Sequence, residues 1–272
     1  MNSIKYLLLA TVILFISCEK VIDVGLDTAK PRLVIEASIN WVNGTDGTEQ
    51  IVKLSTTTDY FSNTIPPVTN AVVFITNSSN QQFDFVQDTK PGIYKCDNFI
   101  PVLGENYTLN VAYNGEMYRS TEKLLNTPIV KRIEQKNDSG FSGETTELKF
   151  FFDDLPNETN QYLLKINDPY KAIPEYGVLE DRFFQNNEMF GLYFSDDLKT
   201  GDTLKFTNNG ISLNYYNYMN ILLSQAGGGN MGPFSTPTST IRGNIVNQNN
   251  FDNYALGYFR LSKTEIREFI IE

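Results

Sequence analysis

The sequence contains no histidine among its 272 residues. This absence excludes the Ser-His-Asp and Cys-His arrangements in which an imidazole activates the nucleophile. It also removes the side chain that most often binds transition metals in proteins. Because no cluster of cysteines takes its place, the composition predicts neither a zinc nor an iron site, and it suggests no cofactor.

Basic side chains are also in short supply. The chain has 22 Lys and Arg residues against 32 Asp and Glu residues, which gives a net charge of −10. Affinity for nucleic acid depends on clustered Lys and Arg side chains that neutralise phosphates, and no basic stripe is visible in the sequence. We therefore expect no nucleic-acid partner.

The apolar run at the start of the chain is too short to span a membrane. Residues 6–16 carry no charge and follow a single Lys5. Eleven residues are too few for a helix across roughly 30 Å of hydrocarbon, but they suit the hydrophobic region of a signal peptide. The small Ser17 directly before Cys18 resembles a bacterial lipobox. We predict a signal peptide over residues 1–17, lipidation of Cys18 and a lipidated tether over 18–27.

Cysteine is almost absent, with Cys18 and Cys96 as the only two residues of this type. If lipid occupies Cys18, no intramolecular disulfide can form, and the sequence has no Cys-x-x-Cys pair. Cys96 is expected to be a small buried side chain within a strand. The fold must then be stabilised by its core alone.

Alternating apolar and polar residues, separated by turn signals, predict an all-β protein. About seven short strands between residues 28 and 128 indicate an immunoglobulin-like or prealbumin-like β-sandwich, with Asn114-Gly115 as its strongest hairpin turn. Residues 129–272 predict a second β-rich domain with one short helix. Within that domain, residues 168–187 are expected to be irregular, and residues 255–261 are expected to form a last buried strand.

The predicted helix, at residues 214–225, has the most suggestive composition in the chain. Tyr215, Met219 and Leu222 share one face and are expected to pack on a sheet.

Tyrosine and asparagine together provide contact area and hydrogen bonds, so they favour contacts with sugars, peptides or a protein partner. The alternative is that these aromatic residues simply cover a small core. The candidate contact residues are Tyr216, Asn217, Asn220 and, in the Gly-rich and Ser-rich loop that follows, Asn230.

Acidic pairs provide the one enzymatic alternative. They occur at Asp153-Asp154, Glu180-Asp181 and Asp196-Asp197. Two carboxyl groups at a suitable separation can hydrolyse glycosidic bonds. Neighbouring residues of a strand point to opposite faces, however, and aspartate is common in turns for its local hydrogen bonds. Solvated turns are thus the simpler interpretation, and calcium-binding patterns are not matched.

Several stretches, taken in order along the mature chain, resemble a lipoprotein family of Bacteroidota described as domain of unknown function 4249. They are Cys18-Glu19, residues 31–37, Gly92-Ile93-Tyr94, residues 104–109, Gly201-Asp202, the Tyr-rich helix, Gly243-Asn244-Ile245 and residues 255–259.

The resemblance implies an outer-membrane setting similar to that of accessory lipoproteins of TonB-dependent transporters, and it brings no catalytic residues. The leading hypothesis is a non-enzymatic lipoprotein that captures substrate for such a transporter. A free-standing glycan-binding or protein-binding adhesin is the alternative, and a carboxylate-dependent hydrolase comes third. The mixed charges of Glu19, Lys20 and Asp23 leave the cell surface and the periplasmic face both open.

Overall fold

The computed structural model describes residues 30–59, 62–140, 143, 145–156, 158–182, 184, 187–228 and 241–272. Residues Pro31–Glu272 form one compact unit, which is mainly β with one short helix, and the predicted all-β class is confirmed. The predicted signal peptide, Cys18 with its tether, and Asn230 lie outside the described residues. In the part of the chain that is described, no helix has the length and apolar composition needed to cross a bilayer.

Fifteen strands and one α-helix make up the described fold. In chain order they are β1 (Leu33–Val42), β2 (Gln50–Thr56), β3 (Val72–Asn77), β4 (Gln82–Gln87), β5 (Ile93–Cys96), β6 (Asn106–Tyr113), β7 (Glu116–Leu125), β8 (Val130–Ser139), β9 (Thr145–Asp153), β10 (Gln161–Asn167), β11 (Glu175–Glu180), β12 (Glu188–Ser195), β13 (Thr203–Ile211), α1 (Leu213–Leu223), β14 (Val246–Asn247) and β15 (Leu256–Ile270).

Eight of these strands close into a barrel-like sheet in the order β15, β1, β2, β5, β4, β3, β6 and β7. Strand β1 pairs with β15 in parallel from Val34 opposite Leu256 to Val42 opposite Thr264. Strand β7 completes the ring through a short parallel pairing of Leu124 with Leu261.

The barrel interior is filled by alternate residues of its strands, as the period-two pattern requires. Strand β1 contributes four of them, and large rings from the opposite strands and loops complete the core. Phe99 contacts Phe83 and Tyr107 at ring-centroid distances of 4.9 and 5.1 Å. Cys96 is buried in this core as a free thiol, as its sequence context predicts.

The second half of β15 leaves the barrel and enters a second lobe. There it pairs with β13, from Asn209 opposite Thr264 to Thr203 opposite Ile270, and β10 and β11 extend the same sheet. This sheet packs on a three-stranded sheet of β12, β9 and β8. The stacked rings of Phe150 and Phe206, 4.2 Å apart, join the two layers.

The prediction of a separate N-terminal β-sandwich is therefore wrong, although the prediction of β-strands is correct. The strands themselves are present, but the C-terminal strand β15 completes their sheet as a barrel, and no clear two-domain sandwich is seen. Residues 168–187 are also less irregular than expected, since they contain β11. The last strand continues nine residues beyond Leu261. In this part of the strand, charged residues interrupt the alternation of apolar and polar residues.

A contact among three backbones fixes the closure of the barrel. Gly257 has φ of +92°, and a Cβ atom there would lie 2.1 Å from the carbonyl oxygen of Ile35. A Cβ atom on Gly243 would lie 1.6 Å from the carbonyl oxygen of Gly257. Only glycine allows backbones to approach this closely. Residue 243 is thus held directly against the pairing of the first and last strands.

We expect the Gly257→Ala variant to destabilise the protein by about 3 kcal/mol or more, because it combines backbone strain with a clash against β1. Gly44→Ala is the matched control. Its φ is +85°, and a Cβ atom there would meet nothing within 4 Å. Its cost should be about 1 kcal/mol from strain alone. Urea unfolding followed by fluorescence measures both, and equal losses would contradict the proposed role of close packing.

Candidate functional site

Helix α1 is positioned by its cap and by two buried side chains. The Oγ of Ser212 accepts a hydrogen bond from the backbone N–H of Tyr215 at 3.3 Å, which satisfies one free donor of the first turn. Tyr215 and Met219 are buried, and the Tyr215 ring lies 4.7 Å from that of Tyr258 on β15. Their predicted burial is confirmed.

The predicted burial of Leu222 is wrong. This side chain is exposed, and in the last turn Leu223 packs against the helix cluster instead. A short π-helical turn, Ser224–Gly228, follows directly.

An open cleft of about 410 Å³ lies between α1 and the segment 241–244. Its size falls in the range of small-molecule sites. Its lining combines side-chain amides, tyrosine rings, apolar side chains and one guanidinium group. The lining residues are Asn214, Asn217, Tyr218, Ile221, Ile241, Arg242, Gly243, Asn244 and Tyr258. Flat rings beside amide donors and acceptors are suited to polar ligands such as sugars and peptides.

Of the predicted contact residues, only Asn217 lines this cleft. Asn220 is exposed on the same helix but is not part of the lining, and Tyr216 packs partly buried against the helix cluster. Asn230 lies outside the described residues. The predicted helix therefore borders the cleft with Asn217 on its lining, and ligand contact by these residues stays a prediction.

A partly buried carboxylate, Glu122 of β7, lies beneath the cleft. Tyr258 donates its hydroxyl to Glu122 at 3.3 Å, and Asn244 donates its Nδ2 at 3.0 Å. The side-chain amide of Asn244 also donates to the backbone carbonyl of Phe259 and accepts the backbone N–H of Phe259. This amide thus replaces a neighbouring strand as the hydrogen-bond partner of β15 at Phe259. Burial raises the pKa of Glu122, and the hydrogen bonds it accepts reduce this effect.

Arg242 connects the cleft with the start of β1. The guanidinium carbons of Arg242 and Arg32 each lie 4.0 Å from the centroid of the Tyr254 ring. Both arginine side chains are thus within cation–π distance of this ring. Arg32 also donates to the carbonyl of Asp252 at 2.9 Å.

The sequence did not identify Arg242, Asn244 and Tyr258 as site residues. No local spacing could have done so, because Tyr258 and Glu122 are 136 residues apart in the chain. Gly243-Asn244-Ile245 and residues 255–259 were singled out only as stretches that resemble a family.

The three acidic pairs are placed differently from one another. Asp153 is exposed and forms an ion pair with Lys131 at 2.9 Å. Its neighbour Asp154 is buried and accepts the hydroxyl of Tyr162 at 2.9 Å. Asp196 accepts the hydroxyl of Thr145 at 2.6 Å. Asp196 and Asp197 both line a second cavity of about 440 Å³ beside Phe194.

One residue from each of the first two pairs contributes to a buried carboxyl pair. Asp181 is fully buried, and its Oδ2 accepts the N–H of Asn160 at 2.8 Å. Burial raises the pKa of Asp181, and the adjacent Asp154 carboxyl raises it further. A substrate cannot contact a carboxyl group without solvent access, so this pair is suited to a structural role. In the described residues, no three Cys, Asp or Glu side chains come together as a possible metal site.

The fold and the cleft define a class: a β-barrel with an attached β-sandwich lobe and an open site lined by amides and tyrosines. Residues 19–267 match the family model described as Domain of unknown function (DUF4249), and the chain belongs to this family. No curated protein matches the chain significantly.

Similarity to solved structures is distant. A DUF4785 family protein from Legionella pneumophila shares 12% identity with a TM-score of 0.27, and the alignment covers 68% of this chain and 54% of that protein. This chain thus matches about half of the Legionella protein. A two-domain fibronectin type III segment of chicken tenascin shares 12% identity with a TM-score of 0.21, covering 67% and 90%. We therefore take the fold and the site from this chain alone.

The raised pKa of Glu122 predicts a pH-dependent stability. Between the ordinary pKa of glutamate and the raised value, the folded protein binds more protons than the unfolded chain, so stability falls as pH rises. Glu122→Gln removes this titration and keeps an acceptor oxygen for Asn244 and Tyr258. Its gain in stability over the unaltered protein should grow from pH 4 to pH 7.

Glu116→Gln is the control of opposite sign. Hydrogen bonds from Tyr118, Asn253 and Asn247 lower the pKa of Glu116, so its ionised form contributes stability above the ordinary glutamate pKa. This variant should lose stability relative to the unaltered protein over the same pH range. Urea midpoints at pH 4 and pH 7 measure both, and parallel responses of the two variants would refute the assignment.

Proposed function

We propose that this protein is a non-enzymatic, lipid-anchored binding protein of the bacterial outer membrane, in a family of Bacteroidota lipoproteins. It captures a polar ligand in the cleft beside α1 and works as an accessory of a TonB-dependent transporter. The observation that carries this proposal is the cleft itself, whose lining combines tyrosine rings, asparagine amides and an arginine. Such a lining recognises sugars or peptides by stacking and by hydrogen bonds together.

The position of the cleft supports an anchored role. Through Tyr254, Arg242 is in contact with Arg32, which lies at the start of β1. A lipid on Cys18 would therefore hold the cleft within a short tether of the membrane. A ligand captured there is released close to a membrane-embedded transporter, which raises its effective concentration at the transporter mouth.

A protein partner is supported by an apolar stripe on the second lobe. Phe190, Leu192 and Phe194 are exposed on the solvent face of β12, which is an edge strand of its sheet. Phe151 on β9 extends the stripe, with its ring centroid 5.5 Å from that of Phe190. Edge strands with exposed apolar side chains are usually avoided unless they are covered by a partner.

The two other hypotheses use fewer of these features. A free-standing surface adhesin would need the cleft but not the stripe. A carboxylate-dependent hydrolase would need accessible paired carboxyl groups. Asp181 is fully buried and Asp153 is engaged with Lys131, so of the three acidic pairs Asp196 and Asp197 alone are exposed together, and Asp196 is engaged with Thr145. The stripe on β12 is therefore the feature that favours the accessory role over the adhesin.

The accessory role predicts co-purification with a β-barrel. A tagged protein extracted from cells in mild detergent should bring down a stoichiometric TonB-dependent transporter, identified by mass spectrometry. Replacing Phe190 and Leu192 with serine should abolish this association, because it removes the centre of the apolar stripe. Val86→Ser changes a still more exposed apolar residue on the barrel and should leave the complex intact. A lone lipoprotein from the unaltered strain would favour the adhesin.

The geometry of the cleft predicts that two asparagines on α1 differ in their contribution to ligand binding. Asn217 lines the cleft and Asn220 does not, although both are exposed on α1. Glycan and peptide arrays should identify a ligand of the unaltered protein. Asn217→Ala should then weaken binding by about tenfold, as expected for one lost hydrogen bond. Asn220→Ala should bind as the unaltered protein does; an equal loss in both variants would place the ligand elsewhere.

A further inference from the structure

One end of the barrel, the end at which the chain enters β1, combines exposed apolar side chains with arginines. Because β15 and β7 run parallel to β1 around the ring, their first residues lie at this same end. Hydrogen bonds from the N–H of Gln248 to Met117, and from the N–H of Met117 to the Oδ1 of Asn249, place the 248–254 loop there too. We name this end the tether rim.

Three large apolar side chains are highly exposed at the tether rim. Phe251 is 76% exposed in the loop before β15, next to the Asp252 carbonyl that binds Arg32. Val72 is 61% exposed at the start of β3, where the strand registers align it with Ala112 and Met117.

Ile65 is 69% exposed beside Pro66. The carbonyl of Pro66 accepts the N–H of Thr56, which lies opposite Leu33 at the start of β1. Side chains from three separate segments of the chain therefore converge on one end of the barrel. Isolated exposed apolar residues are common, but a convergent set at one end indicates a surface that is covered in use.

Cations and an amphipathic ring accompany these apolar side chains. Arg32 and Arg242 both contact the ring of Tyr254. The carboxylate of Glu116 at this end accepts hydrogen bonds from Tyr118 and Asn247, and that of Asp252 remains exposed. Aromatic rings and long cationic side chains together are typical of protein surfaces at the headgroup level of a bilayer.

We propose that the tether rim lies on the phospholipid bilayer, with Phe251 in the interface and Arg32 toward the lipid phosphates. The inference rests on the lipid anchor of the proposed function. Thirteen residues lie between Cys18 and Arg32, and the fourteen steps along the chain can span at most about 50 Å. The anchor thus keeps this end of the barrel close to the membrane, and at such effective concentrations weak side-chain contacts suffice for binding.

A single tryptophan at the rim tests the proposal. Phe251→Trp is introduced with Trp41→Phe, so that the new residue is the only fluorophore of its type. The mature chain is then coupled through Cys18 to a maleimide lipid in phosphatidylethanolamine–phosphatidylglycerol vesicles; Cys96 is buried and does not compete. The F251W emission should shift to shorter wavelength on the vesicles and be quenched by brominated acyl chains.

Ile173→Trp in the same background is the matched control. Ile173 is 77% exposed in the second lobe, before β11, and its emission should neither shift nor be quenched. An F251W emission that is unchanged by coupling overturns the proposal, as does a shift that requires an added barrel protein. Chemical coupling makes these outcomes independent of lipidation in cells, which labelling with radioactive palmitate tests separately.

Discussion

The parallel pairing of β1 with β15 is the constraint on which the rest of the structure depends. It joins the first and last strands of the described fold over nine consecutive residue pairs. The same β15 then continues into the second lobe, where it pairs with β13 in antiparallel fashion. Barrel closure and the attachment of the second lobe are therefore consequences of one long strand with two successive sets of partners.

The cleft depends on this pairing as well. Residue 243 rests on Gly257, which in turn rests on Ile35, and no side chain could be accommodated between these backbones. Asn244 then occupies the place of a strand partner through two hydrogen bonds to Phe259. The polar groups of the site are thereby attached to the paired backbones of the first and last strands, as preorganised binding requires.

Much of the β content was predictable from the sequence, because strands with one buried face alternate visibly. Strand β8 shows no such alternation, because most of its side chains are charged or polar on both faces, as is common for edge strands. The helix and Asn217 were recognised from composition. Arg242 and Tyr258 were not, since the contacts that bring them into the site join residues far apart in the chain, and a single sequence does not show which strands pair.

The pairing of the two terminal strands also determines when the chain can fold. A polypeptide that emerges with its N-terminus first must leave the β1 edge unsatisfied until its last residues are free. Contacts over more than two hundred residues make such closure slow, and the open sheet in the meantime is prone to aggregation. Until β15 is available, one edge of β1 therefore stays open to pairing with another chain.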